Sequence, residues 1–582
     1  MINLKINGID ITVEEDSTIL EAARKVNAHI PTLCHLDLHE FGLLNQEASC
    51  RVCMVETKYG DMVPACNTLV KEGMEIRTDT LKVIHTRKTM IELLLSDHPK
   101  DCLVCIKNGN CELQSLAQIA NIDRIRFEGE VIKFPIDDSS LSIVRDPNKC
   151  ILCKRCQTVC SNVQTVGTLT DIGRGFSTVV GTAYNNPMHM TNCTFCGQCL
   201  AVCPTGALAE VNSVGKVYDA LRSKKMVIVQ TAPAVRVALG EEFGMKPGTV
   251  VTGKMVTALK NLGFDYVFDT DFAADLTTIE EAAELVHRIK TGGRLPILTS
   301  CCPSWVKFFE HNFGDMFDIP STCKSPHEMF GSIVKTYFAE KNNISPKDIV
   351  VVSVMPCVAK KYESARPELG GEGYSDVDYV ITTRELATMI KDFSMSFADL
   401  PDSDFDHPLG ESSGAGAIFG ASGGVLESAL RTAYHMITGK DLEKLEFHNL
   451  RGLKGLREAE IDMDGKILKV AVASGLGNAR RLLNNIKHGT EHYDVIEIMA
   501  CPGGCIDGGG QPFIHGDISI IEKRMKALHS VDTNKEIRLS YKNNSIQKIY
   551  KDYLGEPYGE KAHELLHTQF VYREKYGNPK LK

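Results

Sequence analysis

The chain has 582 residues, 43% of them hydrophobic, and carries 65 Lys and Arg against 74 Asp and Glu for a formal net charge of -9. That length predicts about four domains, the acidic balance argues against a nucleic-acid partner, and no apolar run approaches the roughly 20 residues of a membrane span. The 21 cysteines exclude little by number alone, but 15 of them precede residue 204 in CxxC-type spacings within a long chain that starts MINLKINGIDITV. That start reads as an alternating strand and not as a signal peptide, so a cytoplasmic protein with ligating thiols is expected in place of a disulfide framework.

Residues 4–13 predict a hairpin around an Asn7-Gly8 turn. Thr18 and Glu21 form a capping box for a helix that Pro31 is expected to halt. Cys34, Cys50, Cys53 and Cys66 follow, the middle two in ASCRVCMVE. This arrangement resembles the plant-type [2Fe–2S] ferredoxin fold, in which one loop and a distant strand share the ligands. The spacer before Cys50, GLLNQEASC, departs from the short glycine-rich turn of that family. The alternative is a small all-β domain with incidental buried cysteines.

HPKDCLVCIKNGNC then places His98, Cys102, Cys105 and Cys111 in one loop. One imidazole and three thiolates suit a tetrahedral zinc or a [4Fe–4S] cluster with a histidine ligand, and spacing does not choose between them. The loop resembles one that follows a [2Fe–2S] domain in [FeFe]-hydrogenases and in the large iron–sulfur subunit of respiratory complex I. A redox-silent zinc would add nothing to a wire of clusters.

CILCKRCQTVC (150–160) and CTFCGQCLAVCP (193–204) are two CxxCxxCxxxC runs. Three ligands on one short turn suit a cubane better than a zinc ribbon. In two-cluster ferredoxins the fourth cysteine of each run serves the other cluster. One [4Fe–4S] cluster is therefore expected on Cys150, Cys153, Cys156 and Cys203, and the other on Cys193, Cys196, Cys199 and Cys160. Pro204 closes the second run; Ser161 stands in the corresponding place of the first.

From Lys225 the chain alternates strand, loop and helix, as in MVIVQ, YVFDT, YVITT and KVAVAS, with a helix expected over Asp275–Ile289. The GLGN turn reads as a helix start and LPDSDFDHPLGE as a surface loop; beyond Gln511 the chain is polar and helical. Three apolar runs end in cysteine: Cys301 and Cys302 after Leu295–Leu298, Cys357 after Ile349–Met355, and Cys501 and Cys505 after Val495–Met499. Strand carboxyl ends in an open α/β sheet share one crevice, so these thiols are expected to converge on a buried iron–sulfur cluster.

The segments TSCCPSW, MPCVAKK and MACPGGC resemble the three signature segments of [FeFe]-hydrogenase, a likeness covering nearly the whole chain. The resemblance implies that Cys302, Cys357, Cys501 and Cys505 hold the [4Fe–4S] part of an H-cluster, with Cys505 bridging to a diiron unit that carries CO, cyanide and a dithiolate bridge. Only Cys301 and Cys323 are then left over, so the diiron unit must bring its own ligands. The resemblance further implies Lys360 as a cyanide contact and Ala232, Pro233, Ser325, Met355, Phe419 and Met499 as pocket lining. Cys301 becomes the acid–base group, with Glu281, Ser321 and Glu284 as a proton relay to solvent. Without that motif the two glutamates would read as a solvated helix face, and Cys323 reads as a buried core thiol. Ala234 and His327 depart from the Ser and Gln of single-chain clostridial enzymes. They resemble the catalytic subunit of multi-subunit NAD(P)-linked, electron-bifurcating hydrogenases.

The expected architecture is α+β and multidomain. A ferredoxin-like [2Fe–2S] domain (1–78), a [4Fe–4S] domain with one histidine and three cysteine ligands (79–138) and a two-[4Fe–4S] domain (139–212) come first. An α/β H-cluster domain with mostly parallel sheets and a helical extension (213–582) follows. The expected activity is 2 H⁺ + 2 e⁻ ⇌ H₂. No dinucleotide fingerprint is convincing here, so the implied partners are a flavin- and NAD(P)-binding iron–sulfur subunit, a thioredoxin-like [2Fe–2S] subunit, soluble ferredoxin and maturation proteins. The rivals are a single-chain ferredoxin-dependent hydrogenase, a non-catalytic electron-transfer subunit like that of complex I, and an iron–sulfur assembly protein.

Overall fold

The computed structural model describes residues 1–37 and 48–576, so most of the unusual spacer before Cys50 lies outside the described residues. β1 (Ile2–Ile6) and β2 (Ile9–Val13) form the predicted hairpin, pairing Leu4 with Ile11. Asn7 and Gly8 both take positive φ, 51° and 84°, as a two-residue type I′ turn requires. β3 (Met54–Thr57), β4 (Met62–Pro64) and β5 (Glu75–Arg77) complete a sheet of order β2-β1-β5-β3-β4. The capping box of Thr18 and Glu21 is formed, but its helix spans only Ile19–Lys25. Pro31 does not end it. Asn27 enters the left-handed region at φ 55° and turns the chain away first.

The helices Leu81–Ser96 and Glu112–Ile119 flank the loop of Cys102–Cys111. β6 (Ile143–Arg145), β7 (Leu169–Ile172), β8 (Val179–Thr182) and β9 (Leu208–Glu210) make two antiparallel pairs, β6 with β9 and β7 with β8. The two cysteine runs lie between them.

The larger part of the chain contains two four-stranded sheets. One joins β10 (Met226–Thr231), β11 (Tyr266–Asp269), β13 (Ile349–Met355) and β14 (Tyr379–Thr382), all parallel, in the order β11-β10-β13-β14. The other joins β12 (Ile297–Leu298), β15 (Leu456–Asp462), β16 (Ile467–Ser474) and β17 (Val495–Met499) in the order β12-β17-β16-β15, with only β15 antiparallel. Helices cover both faces, so β13 and β17 are buried throughout and read as continuous apolar runs. Two sheets replace the single crevice expected from the sequence. Cys357 follows a strand of the first and the other cysteine segments follow strands of the second, so the thiols meet between two sets of carboxyl ends.

The helix Thr270–Thr291 runs through the middle. It begins five residues before the expected Asp275 because the Asp269 side chain accepts from the Asp271 amide and caps it, and it ends at Gly292 with φ 72°. It packs against the helices Pro326–Ile333 and Gly424–Thr438. The C-terminal part supplies the helices Ser519–Asn534, Asn544–Ile549 and Glu560–Leu566. Its Ser540 hydroxyl and Asn543 amide donate to the buried Asp275 at 2.8 and 3.0 Å, tying this part to the central helix. Among the described residues no helix is long and apolar enough to cross a membrane.

Candidate active site and cysteine clusters

Cys302, Cys357, Cys501 and Cys505 converge. Cys501 feels the charge of the other three, Cys505 that of Cys357 and Cys302, and Cys357 that of Cys302. Cys357 and Cys501 are buried, while Cys302 and Cys505 keep part of their surface open. Cys302 sits at the N-cap of the helix Pro303–Asn312, where the amides of Ala500, Trp305 and Ser304 point at its sulfur. The Cys505 loop turns through Gly504 at φ 82°, where a Cβ would lie 2.5 Å from the Ser422 amide nitrogen. Only glycine fits there.

Burial first, and mutual charge second, pushes the Cys357 thiol up to about 12 and the Cys501 thiol well above its ordinary value. Four thiolates this close, two of them buried, cannot coexist without a compensating cation. No disulfide joins them. The donor set therefore fits a thiolate-held cubane.

Cys301 lies beside this cup. It packs with Cys302 against Phe419 and Met499. Burial, then Glu281, then Cys505 and Cys302 raise its thiol well above the usual value, opposed by Lys360. The Lys360 ammonium donates to Glu363 at 2.6 Å, to the Ser325 hydroxyl at 2.9 Å and to the Cys301 carbonyl at 3.2 Å. Burial works against its charge, but Glu363 and the neighbouring thiols hold its pKa above the ordinary lysine value. Ala232 and Pro233 leave the end of β10, where the Ala232 amide donates to the Val354 carbonyl, and Met355 ends β13; all three are buried. Ala234 is fully buried and its carbonyl accepts from Gln511 at 2.9 Å. The His327 Nδ1 lies 3.0 Å from Glu328 and 3.2 Å from Glu363.

Glu281 and Glu284 do not line a solvated face. Glu281 is 4% exposed and Glu284 0%. Ser321 donates to Glu284 at 2.9 Å. Burial, then the charge of Glu284, pushes the Glu281 carboxyl up to about 8, with the Ser300 amide acting against them. Glu281 is thus a buried acid between Cys301 and Glu284.

The remaining thiols also gather in sets. Cys53 and Cys66 stand 3.3 Å apart, and the Cys34 thiol bonds to Cys50 and Cys66 in a buried group of four. Cys150, Cys153, Cys156 and Cys203 share mutual charge effects and line one cavity. Cys160, Cys193, Cys196 and Cys199 do the same around another. In the loop between, Cys105 adds its charge to the burial that raises the Cys111 thiol, and Cys102 is exposed. His98 there keeps a buried Nδ1 with no hydrogen-bond partner among the described residues. A buried imidazole nitrogen without a partner fits a metal or cluster ligand.

Family models match along the chain. Residues 1–81 match a 2Fe-2S iron-sulfur cluster binding domain, 87–126 the NADH-ubiquinone oxidoreductase-G iron-sulfur binding region, and 149–207 a 4Fe-4S dicluster domain. Residues 225–509 match the iron only hydrogenase large subunit, C-terminal domain, and 518–573 the iron hydrogenase small subunit. The NADP-reducing hydrogenase subunit HndD of Solidesulfovibrio fructosivorans is 52% identical over 99% of this chain and 100% of its own length. The chain belongs to the iron-only hydrogenases.

Iron hydrogenase 1 of Clostridium pasteurianum is 39% identical to this hydrogenase over 97% of the chain and 99% of its own length. The solved apo [FeFe]-hydrogenase HydA1 variant from Chlamydomonas reinhardtii is 41% identical, with a TM-score of 0.57, over 62% of this chain and all of that one.

Sequence reasoning about this hydrogenase missed Arg288 and Glu363. Arg288 meets Glu284 at 2.5 Å and also donates to the carbonyls of Ile319 and Pro320 at 3.0 and 2.9 Å. The i,i+4 spacing from Glu284 was a readable signal. Glu363 anchors Lys360 from three residues on, a signal hidden by the lack of any helix pattern in the sequence there.

Proposed function

We propose that this iron hydrogenase interconverts H₂ with two protons and two electrons at an H-cluster held by Cys302, Cys357, Cys501 and Cys505, within a complex that couples H₂ to NAD(P) and ferredoxin by electron bifurcation. When bound, the diiron unit supplies the open iron at which H₂ is cleaved or formed. The protein supplies the rest. Lys360 presents a fixed positive charge into the cup, suited to an anionic ligand such as cyanide. Phe419, Met499 and Met355 wall the space with apolar surface, and Ala232, Pro233 and Ser325 complete the lining.

The observation that carries the reading is Cys301, seated against the cup on one side and within the field of Glu281 on the other. Its Sγ takes the proton from the substrate and hands it to Glu281, then Ser321 and Glu284, and Arg288 marks the edge of that path. Cys160, Cys193, Cys196 and Cys199 would hold the [4Fe–4S] cluster nearest the cup, Cys150, Cys153, Cys156 and Cys203 a second, the His98 loop with Cys102, Cys105 and Cys111 a third, and Cys34, Cys50, Cys53 and Cys66 a [2Fe–2S] cluster; together these groups would supply a path for single electrons. Such clusters pass one electron at a time, and plant-type [2Fe–2S] centres at about −400 mV match low-potential donors.

The domain division at 1–78, 79–138, 139–212 and 213–582 follows that wire. Pyridine nucleotide reacts on a flavin-bearing partner subunit, joined through a thioredoxin-like [2Fe–2S] subunit. The relative HndD, named as a subunit of an NADP-reducing enzyme, supports this. An assembly protein would need neither the buried Glu281–Ser321–Glu284 series nor a lysine aimed at the cup. Infrared spectra of matured protein should show metal-bound CO and cyanide bands, and their absence would overturn the reading. The isolated chain should not reduce NAD⁺ with H₂; direct reduction would overturn the partner assignment.

A further inference from the structure

Behind Glu284 lies a second group of titratable residues that the relay does not use. Oxygen, sulfur and nitrogen atoms of Glu284, Cys323 and His567 all lie within 4.8 Å of one another, and all three residues are buried. His567 comes from the far end of the chain, where a short bridge pairs its backbone with that of Cys323. Its Nε2 lies 3.0 Å from the Glu280 carboxylate, which also accepts from the Tyr558 amide at 2.8 Å and from the Tyr550 hydroxyl. Glu280 accepts from both tyrosines, and a carboxylate that only accepts leaves Nε2 to carry the hydrogen. The Nδ1 lone pair then faces the Thr322 hydroxyl at 2.8 Å and the Cys323 sulfur at 4.0 Å, on the side of Glu284.

An imidazole oriented by a carboxylate behind it, with its lone-pair nitrogen accepting from a hydroxyl that stands beside an acid, is arranged as a base. We propose that His567 is a proton reservoir of the relay: it takes a proton from Glu284 and returns it when Glu284 is emptied. The transfer runs through Thr322, whose amide meets Glu284 at 3.2 Å and whose hydroxyl lies 2.8 Å from His567 Nδ1: the O–H bond of Glu284 breaks, its proton passes to the Thr322 oxygen, and the hydroxyl's own proton forms the N–H bond at Nδ1. Glu280 neutralises the imidazolium, and no electrons move. This rests on the hydrogenase reading, because the relay it serves does.

The groups facing His567 set its limits. Glu280 and Glu284 come from the central helix, Cys323 from the segment between the helices Pro303–Asn312 and Pro326–Ile333, Tyr550 and Tyr558 from the C-terminal segment. The exposed His563 stacks on it with centroids 4.6 Å apart and planes at 9°. Arg288 lies beyond Glu284. Two stacked imidazoles resist a double charge, and burial and then His567 lower the His563 pKa. The outer ring thus opposes filling of the reservoir once solvent has protonated it.

The test uses the full chain with its iron–sulfur clusters but without the diiron unit, and the matured enzyme alongside. In the first, the infrared C=O stretch of the buried glutamic acids is followed with pH in wild type, His567→Gln and Glu280→Gln. The carboxylic acid band should persist to higher pH in both variants, because His567 no longer draws the proton away. In the matured enzyme H567Q should lower H₂ turnover roughly tenfold, below the ~10²–10⁴ of a direct proton-transfer group, with a changed pH profile. Superimposable carboxyl titrations would overturn the proposal, and so would a rate loss equal at every pH. If H567Q does not fold, E280Q decides, since it leaves the ring in place. A matured wild type that neither evolves nor consumes H₂ would sink the hydrogenase reading, while the carboxyl titration still tests the reservoir.

Discussion

Gly197 and Gly509 meet backbone to backbone. A Cβ on Gly509 would lie 2.8 Å from the Gly197 Cα and 2.9 Å from its carbonyl oxygen. The contact seats the loop of Cys193–Cys199 directly on the loop that follows Cys505. The Gln198 amide donates to the Asp507 carbonyl at 3.2 Å, and Gln164 reaches the Ala500 carbonyl at 2.9 Å. The step of the proposed wire nearest the cup depends on this closeness.

Gly509→Ala should force the two loops apart, because its new methyl meets only backbone and no flexible side chain can give way. Overpacking of that kind costs about 1–3 kcal/mol. Viologen-linked H₂ evolution should fall at least tenfold while H₂/D₂O isotope exchange, which needs no wire, stays near wild type. Equal loss of both activities would place the damage in the cup instead.

Ser321→Ala removes the 2.9 Å bond to Glu284 and the acceptor of the Cys323 amide. H₂ evolution should drop by about 10²-fold or more, as for loss of a proton-transfer group, with iron content unchanged. A variant retaining more than half the activity would exclude Ser321 from the path.

Glu281 gives stability a pH dependence with a defined sign. Its carboxyl is held at about 8 in the fold against an ordinary 4.5, so the native state binds the extra proton between those values. Stability from this group is full below about 4.5 and is lost as pH rises toward 8, by about 1.4 kcal/mol per pH unit at most. Glu281→Gln should therefore gain thermal stability relative to wild type across that window. A constant difference in melting temperature from about pH 5 to about pH 8 would contradict the assignment.

Lys360→Ala leaves Glu363 buried with only His327 opposite it. Breaking one side of a buried pair costs about 3–5 kcal/mol. The variant should melt earlier and should lose the CO and cyanide bands after maturation while keeping its cubanes. Lys360→Arg retains charge but not the point geometry of the ammonium, and should restore stability more than band intensity.

Much of this architecture was legible because thiols that gather on one cavity keep a fixed spacing. The runs at 150–160 and 193–204 each put three thiols around one cavity, and Cys160 and Cys203 cross to the other set. The Asn7-Gly8 hairpin and the Thr18–Glu21 capping box were local signals of the same kind. The partition of eight strands into two sheets was not legible, since parallel strands buried on both faces look alike whichever sheet they join. Nor was Pro31 the helix stop, because Asn27 acts first. Glu281 and Glu284 could be named only through resemblance; a pair of glutamates three apart carries no mark of burial. His567 and Glu280 are 287 residues apart, and nothing local announces that they touch.

Arg524, in the segment matched by the small-subunit family model, is fully buried and clamps the loop after Cys505 through the carbonyls of Ile506 and Pro512, with Glu241 behind it. Because this brace is continuous with the rest of the polypeptide, its docking is unimolecular and cannot be diluted away. A single translation event delivers both halves in equal number, and no excess of one can leave the other waiting unclosed.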